Sequence, residues 1–221
     1  MTNLERAHAT TSTLPPARPS VLLDGEEAPP LDPGPIALAA FASSTFLLSW
    51  VNAGLVDKTG IQAVIASAWV MGGLVQFVVG IYALTRGRLF AAAAFISYGG
   101  FWISFAVYEV FNASKIAPAE HGHVTALFLA PWLIFTAILW VAAWKTNLAL
   151  LVGLSILFVT ILTLTVGQAL GSESWIKIGG WIGLILAFEI FYLAAGELIN
   201  QVYKREVLPL GELGRGRIVE I

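Results

Sequence analysis

Three series of residues at helical spacing set polar and aromatic groups along single stripes within the apolar part of this chain. Tyr98, Trp102, Phe105 and Glu109 recur at i, i+4, i+7 and i+11, which at about 100° per residue puts them on one stripe of a helix. Phe41, Thr45, Ser49 and Asn52 repeat the arrangement, and Leu157, Leu164 and Gln168 repeat it again. Each series begins with a bulky residue and ends with a polar one. Hydroxyl and amide groups can replace part of a small solute's hydration, and a ring of bulky residues can limit its size. A helix facing only lipid has no use for a tyrosine at mid-depth and a carboxylate at its end. The pattern therefore suggests a polar vestibule narrowing onto an apolar ring. A second reading puts Asn52 and Gln168 at the membrane interface and Glu109 at a helix end, where polarity costs little; spacing alone leaves both open.

Other polar groups stand apart. Gln76 lies about two-thirds along its apolar run, and a buried amide must hydrogen-bond across helices or to something passing. Glu189 lies midway along the last run, where an ionised, unpaired carboxylate costs several kcal/mol. It is a candidate for proton coupling, with a structural polar contact the stronger alternative. Glu120, His121 and His123 cluster in a loop, but two histidines at i, i+2 on a loop are ordinarily solvated, and no metal site is expected. The chain has no cysteine, which excludes disulfides, thiol catalysis and thiolate metal sites.

The elements that must hold these residues are membrane helices. The 221 residues are 57% hydrophobic and only 12% charged, about half the charged share of soluble domains. Six apolar runs at 36–56, 61–84, 89–111, 124–144, 148–170 and 178–199 are each long enough to cross a bilayer. The expectation is an all-α integral membrane protein with six transmembrane helices over 36–199. Residues 1–35 form a Pro- and Ala-rich tail expected to be disordered and uncleaved, and 200–221 form a C-terminal tail. Arg6, Arg18, Arg86, Arg88, Lys145, Lys204, Arg205, Arg215 and Arg217 fall on one side, against Lys58, Lys115 and Lys177 on the other. This asymmetry predicts both termini in the cytoplasm. The basic residues are scattered, so nucleic acid is not an expected partner. Gly179, Gly180 and Gly183, with Gly72-Gly73 and Gly99-Gly100, allow close helix packing within or between subunits.

Several ordered segments resemble the acetate uptake transporter family, the succinate–acetate permeases of YaaH type. Asp32-Pro33-Gly34-Pro35-Ile36-Ala37-Leu38 stands where that family has Asn-Pro-Ala-Pro-Leu-Gly-Leu. Asp32 is expected to cap a helix opening at Pro33. The likeness continues through Asn52-Ala53-Gly54, Gly72-Gly73-Leu74-Val75-Gln76, 94–102, 180–185, 192–197 and 207–212. Two departures from the family pattern are Ala83, where a Glu is usual, and Glu189, where a small residue is usual.

The resemblance implies a ring-shaped hexamer in the cell membrane, with a path for acetate and similar small carboxylates through each protomer. It implies a constriction at Phe41, Tyr98 and Leu157, with Asn52 and Gln76 along the path, and no cofactor. The solute would meet Asn52 and Gln76 in an outer vestibule, and the Tyr98 hydroxyl would be the donor at the ring. Thr45, Trp102, Glu109 and Gln168 complete the expected path. Other readings are a channel for a neutral solute such as urea or ammonia, and a non-transporting sensor or assembly protein. An enzyme is not expected, because no Ser/His or metal-ligand set lies at membrane depth.

Overall fold

A computed structural model describes residues 32–211 and 213; the tail expected to be disordered lies, but for residues 32–35, outside them. Six helices are long and apolar enough to cross a membrane: α1 (Gly34–Asn52), α2 (Lys58–Thr85), α3 (Leu89–Lys115), α4 (His121–Ala143), α5 (Leu148–Ala169) and α6 (Glu173–Tyr203). No strand occurs among the described residues.

Local chemistry sets several of their ends. α1 opens with Pro33 at its N-cap position and Pro35 in its first turn. The helix therefore starts one residue later than the Asp-Pro pair suggested, and the fixed proline φ angles favour its opening turn. The Asp57 side chain accepts from Thr59 N (2.8 Å) at the start of α2, and Asn147 accepts from Leu150 N (2.8 Å) at the start of α5, both ordinary N-caps. Gly87, at φ 69°, turns the chain between α2 and α3, a conformation that favours glycine. Two stretches are π-helical: Ala68–Val75 within α2 and Tyr108–Asn112 within α3.

Consecutive helices are neighbours and α6 closes back on α1, so the bundle is a ring of six around a central axis. Glycines permit the closest approaches. A Cβ at Gly80 would lie 2.6 Å from Ile96 N, pressing α2 against α3, and one at Gly180 would collide with the α1 backbone at Ala53. The Gly179–Gly183 motif thus packs α6 inside the protomer, against α1 and α5. The α3–α4 seam is the sparsest of the six. Aromatic rings fill it: Phe101 with Trp132 at 5.2 Å and with Phe128 at 5.9 Å, and Tyr108 with Phe128 at 5.4 Å.

α6 runs four residues past its expected end because the chain beyond it folds back. Asn200 Oδ1 accepts from Val207 N (2.7 Å) and Leu208 N (3.0 Å), and its Nδ2 donates to Leu208 O (2.8 Å). Tyr192 donates to Pro209 O at 2.7 Å. The carbonyls of Leu210 and Gly211 then accept from Ala149 N and Leu148 N, satisfying first-turn donors of α5. Residues 204–211 are therefore a strap across one face of the bundle.

Candidate functional site

Two cavities lie along the axis of the ring. The first, of ≈ 430 Å³, opens among the start of α1, the α2–α3 turn, the α4–α5 turn and the end of α6. Its walls are mostly apolar, with Gln76, Arg88, Thr146, Asn147 and Glu197 as its polar lining. The second, of ≈ 60 Å³, is lined by residues that include Thr45, Ser49, Asn52, Trp102, Trp132, Leu157 and Thr160. Phe41 and Tyr98 line both. Their ring centroids lie 5.5 Å apart, and both side chains are buried. The two cavities therefore meet at an aromatic waist.

α1 behaves as its spacing predicts, with Phe41, Thr45, Ser49 and Asn52 all facing the second cavity. On α3, Tyr98 and Trp102 do likewise, but the stripe does not continue to Glu109. Phe105 already lines neither cavity and packs with Val64 and Ala68 instead; in the π turn that follows, Tyr108 is buried and Glu109 is partly exposed, also lining neither cavity. On α5, Leu157 and Leu164 line the second cavity and Gln168 does not. Gln168 sits near the helix end, where its backbone carbonyl packs against Gly122 of α4.

Gln76 is 1% exposed and its Oε1 has no hydrogen-bond partner. It lines the first cavity, not the vestibule beside Asn52. The reason is direction. α2 runs antiparallel to α1 and α3, so a residue past the middle of α2 lies toward the face where α1 begins. Two further buried groups without partners, Thr45 Oγ1 and Trp102 Nε1, belong to residues of the second cavity. Buried polar atoms left unpaired carry a cost that a polar solute or water would relieve. Trp102 is held in place by the close approach of α2, since a Cβ at Gly72 would lie 2.6 Å from Trp102 Cγ.

The Tyr98 hydroxyl is not a free donor. It lies 2.9 Å from Thr136 Oγ1, and Thr136 donates its own proton to Trp132 O at 2.7 Å. A hydroxyl has one proton to give, so Tyr98 donates to Thr136. Glu189 also departs from expectation. It lines neither cavity; its carboxylate packs against Gly153 of α5, with both oxygens buried and unpartnered. His121 and His123 stand in the first turn of α4, three residues earlier than the expected start, and His123 Nδ1 is 3.2 Å from Glu120 Oε2. No cluster suited to a metal ion occurs among the described residues.

Sequence reasoning passed over Thr136, Trp132, Asn147 and Thr160. Asn147 carries the familiar signal of an N-cap before an apolar run, and Thr160 is one turn from Leu157. Thr136 and Trp132 lie on a helix apolar all round, where no stripe marks an inward face.

Residues 26–211 match the model of the GPR1/FUN34/yaaH family. The chain belongs to that family. It is 34% identical over 194 residues to acetate permease A of Emericella nidulans, covering 81% of this chain and 65% of that one, so it spans just under two thirds of that relative's length. It is 31% identical over 181 residues to the succinate-acetate/proton symporter SatP of Escherichia coli, covering 82% of this chain and 95% of that one. Among solved structures, that of the bacterial acetate channel SatP superposes with a TM-score of 0.77 at 30% identity, over 83% of this chain and all of the other.

Proposed function

We propose that this protein carries acetate and similar small monocarboxylates across a membrane, through a path along the axis of each protomer. The observation that carries the reading is the pair of cavities meeting only at Phe41 and Tyr98, in a chain whose relatives bear the names of an acetate permease and an acetate channel. The solute enters the second cavity past Asn52, where Thr45 and Trp102 offer an oxygen and an indole N–H without protein partners. It passes the waist of Phe41, Tyr98 and Leu157 and reaches the first cavity, where Gln76 presents an unpaired amide oxygen. An anion stripped of water at the waist costs several kcal/mol, so it crosses with part of its water shell or as the neutral acid.

An amide oxygen accepts and does not donate. The Gln76 Oε1 therefore suits water or a protonated acid, and its NH₂ suits a carboxylate. The lysine and arginine asymmetry supports a cell-membrane protein with both termini in the cytoplasm, which makes the second cavity the outer one. Assembly as a hexameric ring is consistent with the exposed apolar faces of α2, α4 and α6. Glu189 stands outside the path, so its part in proton coupling, if coupling occurs, is not by touching the solute.

The test is uptake of radiolabelled acetate into liposomes holding purified protein, with and without an inward proton gradient, and with urea as competitor. The expected result is uptake above protein-free controls that excess acetate suppresses and urea does not. Suppression by urea would favour a neutral-solute channel. No uptake by folded protein would return attention to a sensor or assembly role.

A further inference from the structure

We propose that Thr136, which lines neither cavity, is a positioning residue that sets the selectivity of the path by pinning the Tyr98 ring. The inference rests on the transport reading above. Tyr98 is one of the two residues common to both cavities, so the position of its ring fixes the width of the waist. Of the hydrogen bonds described above, the one to Thr136 is what anchors the outer end of that ring.

The anchor is built to be directional. Thr136 is fully buried and spends its own proton on the Trp132 carbonyl one turn back. Its oxygen is thereby left as an acceptor facing Tyr98. The same construction recurs near the other end of the two helices. Tyr108 lies 2.9 Å from Thr125 Oγ1, and Thr125 donates to His121 O at 2.8 Å. Both pairs bridge α3 and α4, the seam with the sparsest packing in the ring. Where backbones stand apart and aromatic rings fill the gap, the angle of a ring is set by side chains alone, and a directional bond selects one angle. The Tyr98 ring lies between Phe41 at 5.5 Å and Phe135 at 6.2 Å. Released from Thr136, it can tilt toward Phe135 and widen the waist.

The discriminating substitution is Thr136→Val, which keeps the shape and removes the acceptor. Uptake of labelled acetate and butyrate into liposomes gives a ratio insensitive to the amount of protein inserted. Thr136→Val is expected to lower the acetate-over-butyrate ratio about fivefold, the equivalent of one ordinary hydrogen bond, and Thr136→Ser is expected to restore it. In a Tyr98→Phe background, Thr136→Val should change the ratio no further, since no hydroxyl remains to hold. A wild-type ratio in Thr136→Val, or an equal change with and without the Tyr98 hydroxyl, would overturn the proposal. If Thr136→Val does not insert, Tyr98→Phe alone serves. It removes the same bond and is expected to lower the ratio likewise, and an unchanged ratio would be contrary. Absence of acetate uptake by the wild-type protein would instead defeat the transport reading, and this inference with it.

Discussion

Phe41 of α1 and Tyr98 of α3 face each other across the axis at 5.5 Å with their rings inclined by 57°, and among the described residues no other lines both cavities. The two helices run in the same direction, and Leu157 of α5, a third helix of that direction, lines the second cavity with them. On the proposed path, size selection would fall to side chains on alternate helices of the ring, each backed by neighbours on both sides.

Leu157 lines the second cavity with Phe41 and Tyr98 and is proposed as the aliphatic member of the waist, so shortening it should widen the path without removing an aromatic ring. Leu157→Ala is expected to raise lactate uptake relative to acetate several-fold. A buried leucine truncated to alanine costs about 2–5 kcal/mol, so the ratio must be read on correctly inserted protein. An unchanged ratio would remove Leu157 from the filter.

Gln76→Ala removes the unpaired amide oxygen of the first cavity while leaving a helix-compatible residue. Acetate uptake is expected to fall about fivefold to tenfold, in line with the loss of a hydrogen bond to a polar or charged solute, with membrane insertion unaffected. Retained uptake would make Gln76 a packing residue of α2.

How much of this was legible depended on the regularity of the helix. The six spans follow directly from apolar runs, and the α1 face from Phe41 to Asn52 follows from constant spacing because α1 is an uninterrupted α-helix. Beyond Trp102 the α3 stripe leaves the cavities: Phe105 packs into the core with Val64 and Ala68, and past it the π turn at Tyr108–Asn112 departs from the α-helical period. The burial of Gln76 follows from its place in an apolar run, but its cavity follows from the direction of α2, which spacing does not encode. The extension of α6 to Tyr203 depends on Asn200 gripping residues 207 and 208, a tertiary contact that hydropathy does not register. Thr136 was invisible because α4 has no polar stripe, and its importance comes from the tyrosine it meets.

Glu189 is expected to be dispensable for transport. Its oxygens are buried without partners beside Gly153, and the neutral amide of Glu189→Gln occupies the same space without the penalty of a buried charge. Uptake of acetate and its response to a proton gradient should match wild type. Loss of the gradient response alone would place Glu189 in proton coupling after all.

Asn200→Ala removes three hydrogen bonds that hold the strap. At about 1 kcal/mol each, the loss should lower the thermal unfolding temperature of the detergent-solubilised protein. It should also speed proteolysis of the C-terminal segment. An unchanged melting temperature with an intact segment would show that Tyr192 and the carbonyls of Leu210 and Gly211 suffice.

The central claim is that solute passes through the waist, and the absence of cysteine in the native chain gives a direct test. Leu157→Cys is labelled in liposomes with a thiol-specific reagent larger than acetate, alongside Ile138→Cys on the exposed side of α4, where Ile138 is 60% exposed. Labelling at 157 is expected to stop acetate uptake, excess acetate to slow that labelling, and reduction of the mixed disulfide to restore transport. Labelling at 138 should leave uptake intact. Full labelling at 157 with undiminished uptake would contradict a path through Phe41, Tyr98 and Leu157.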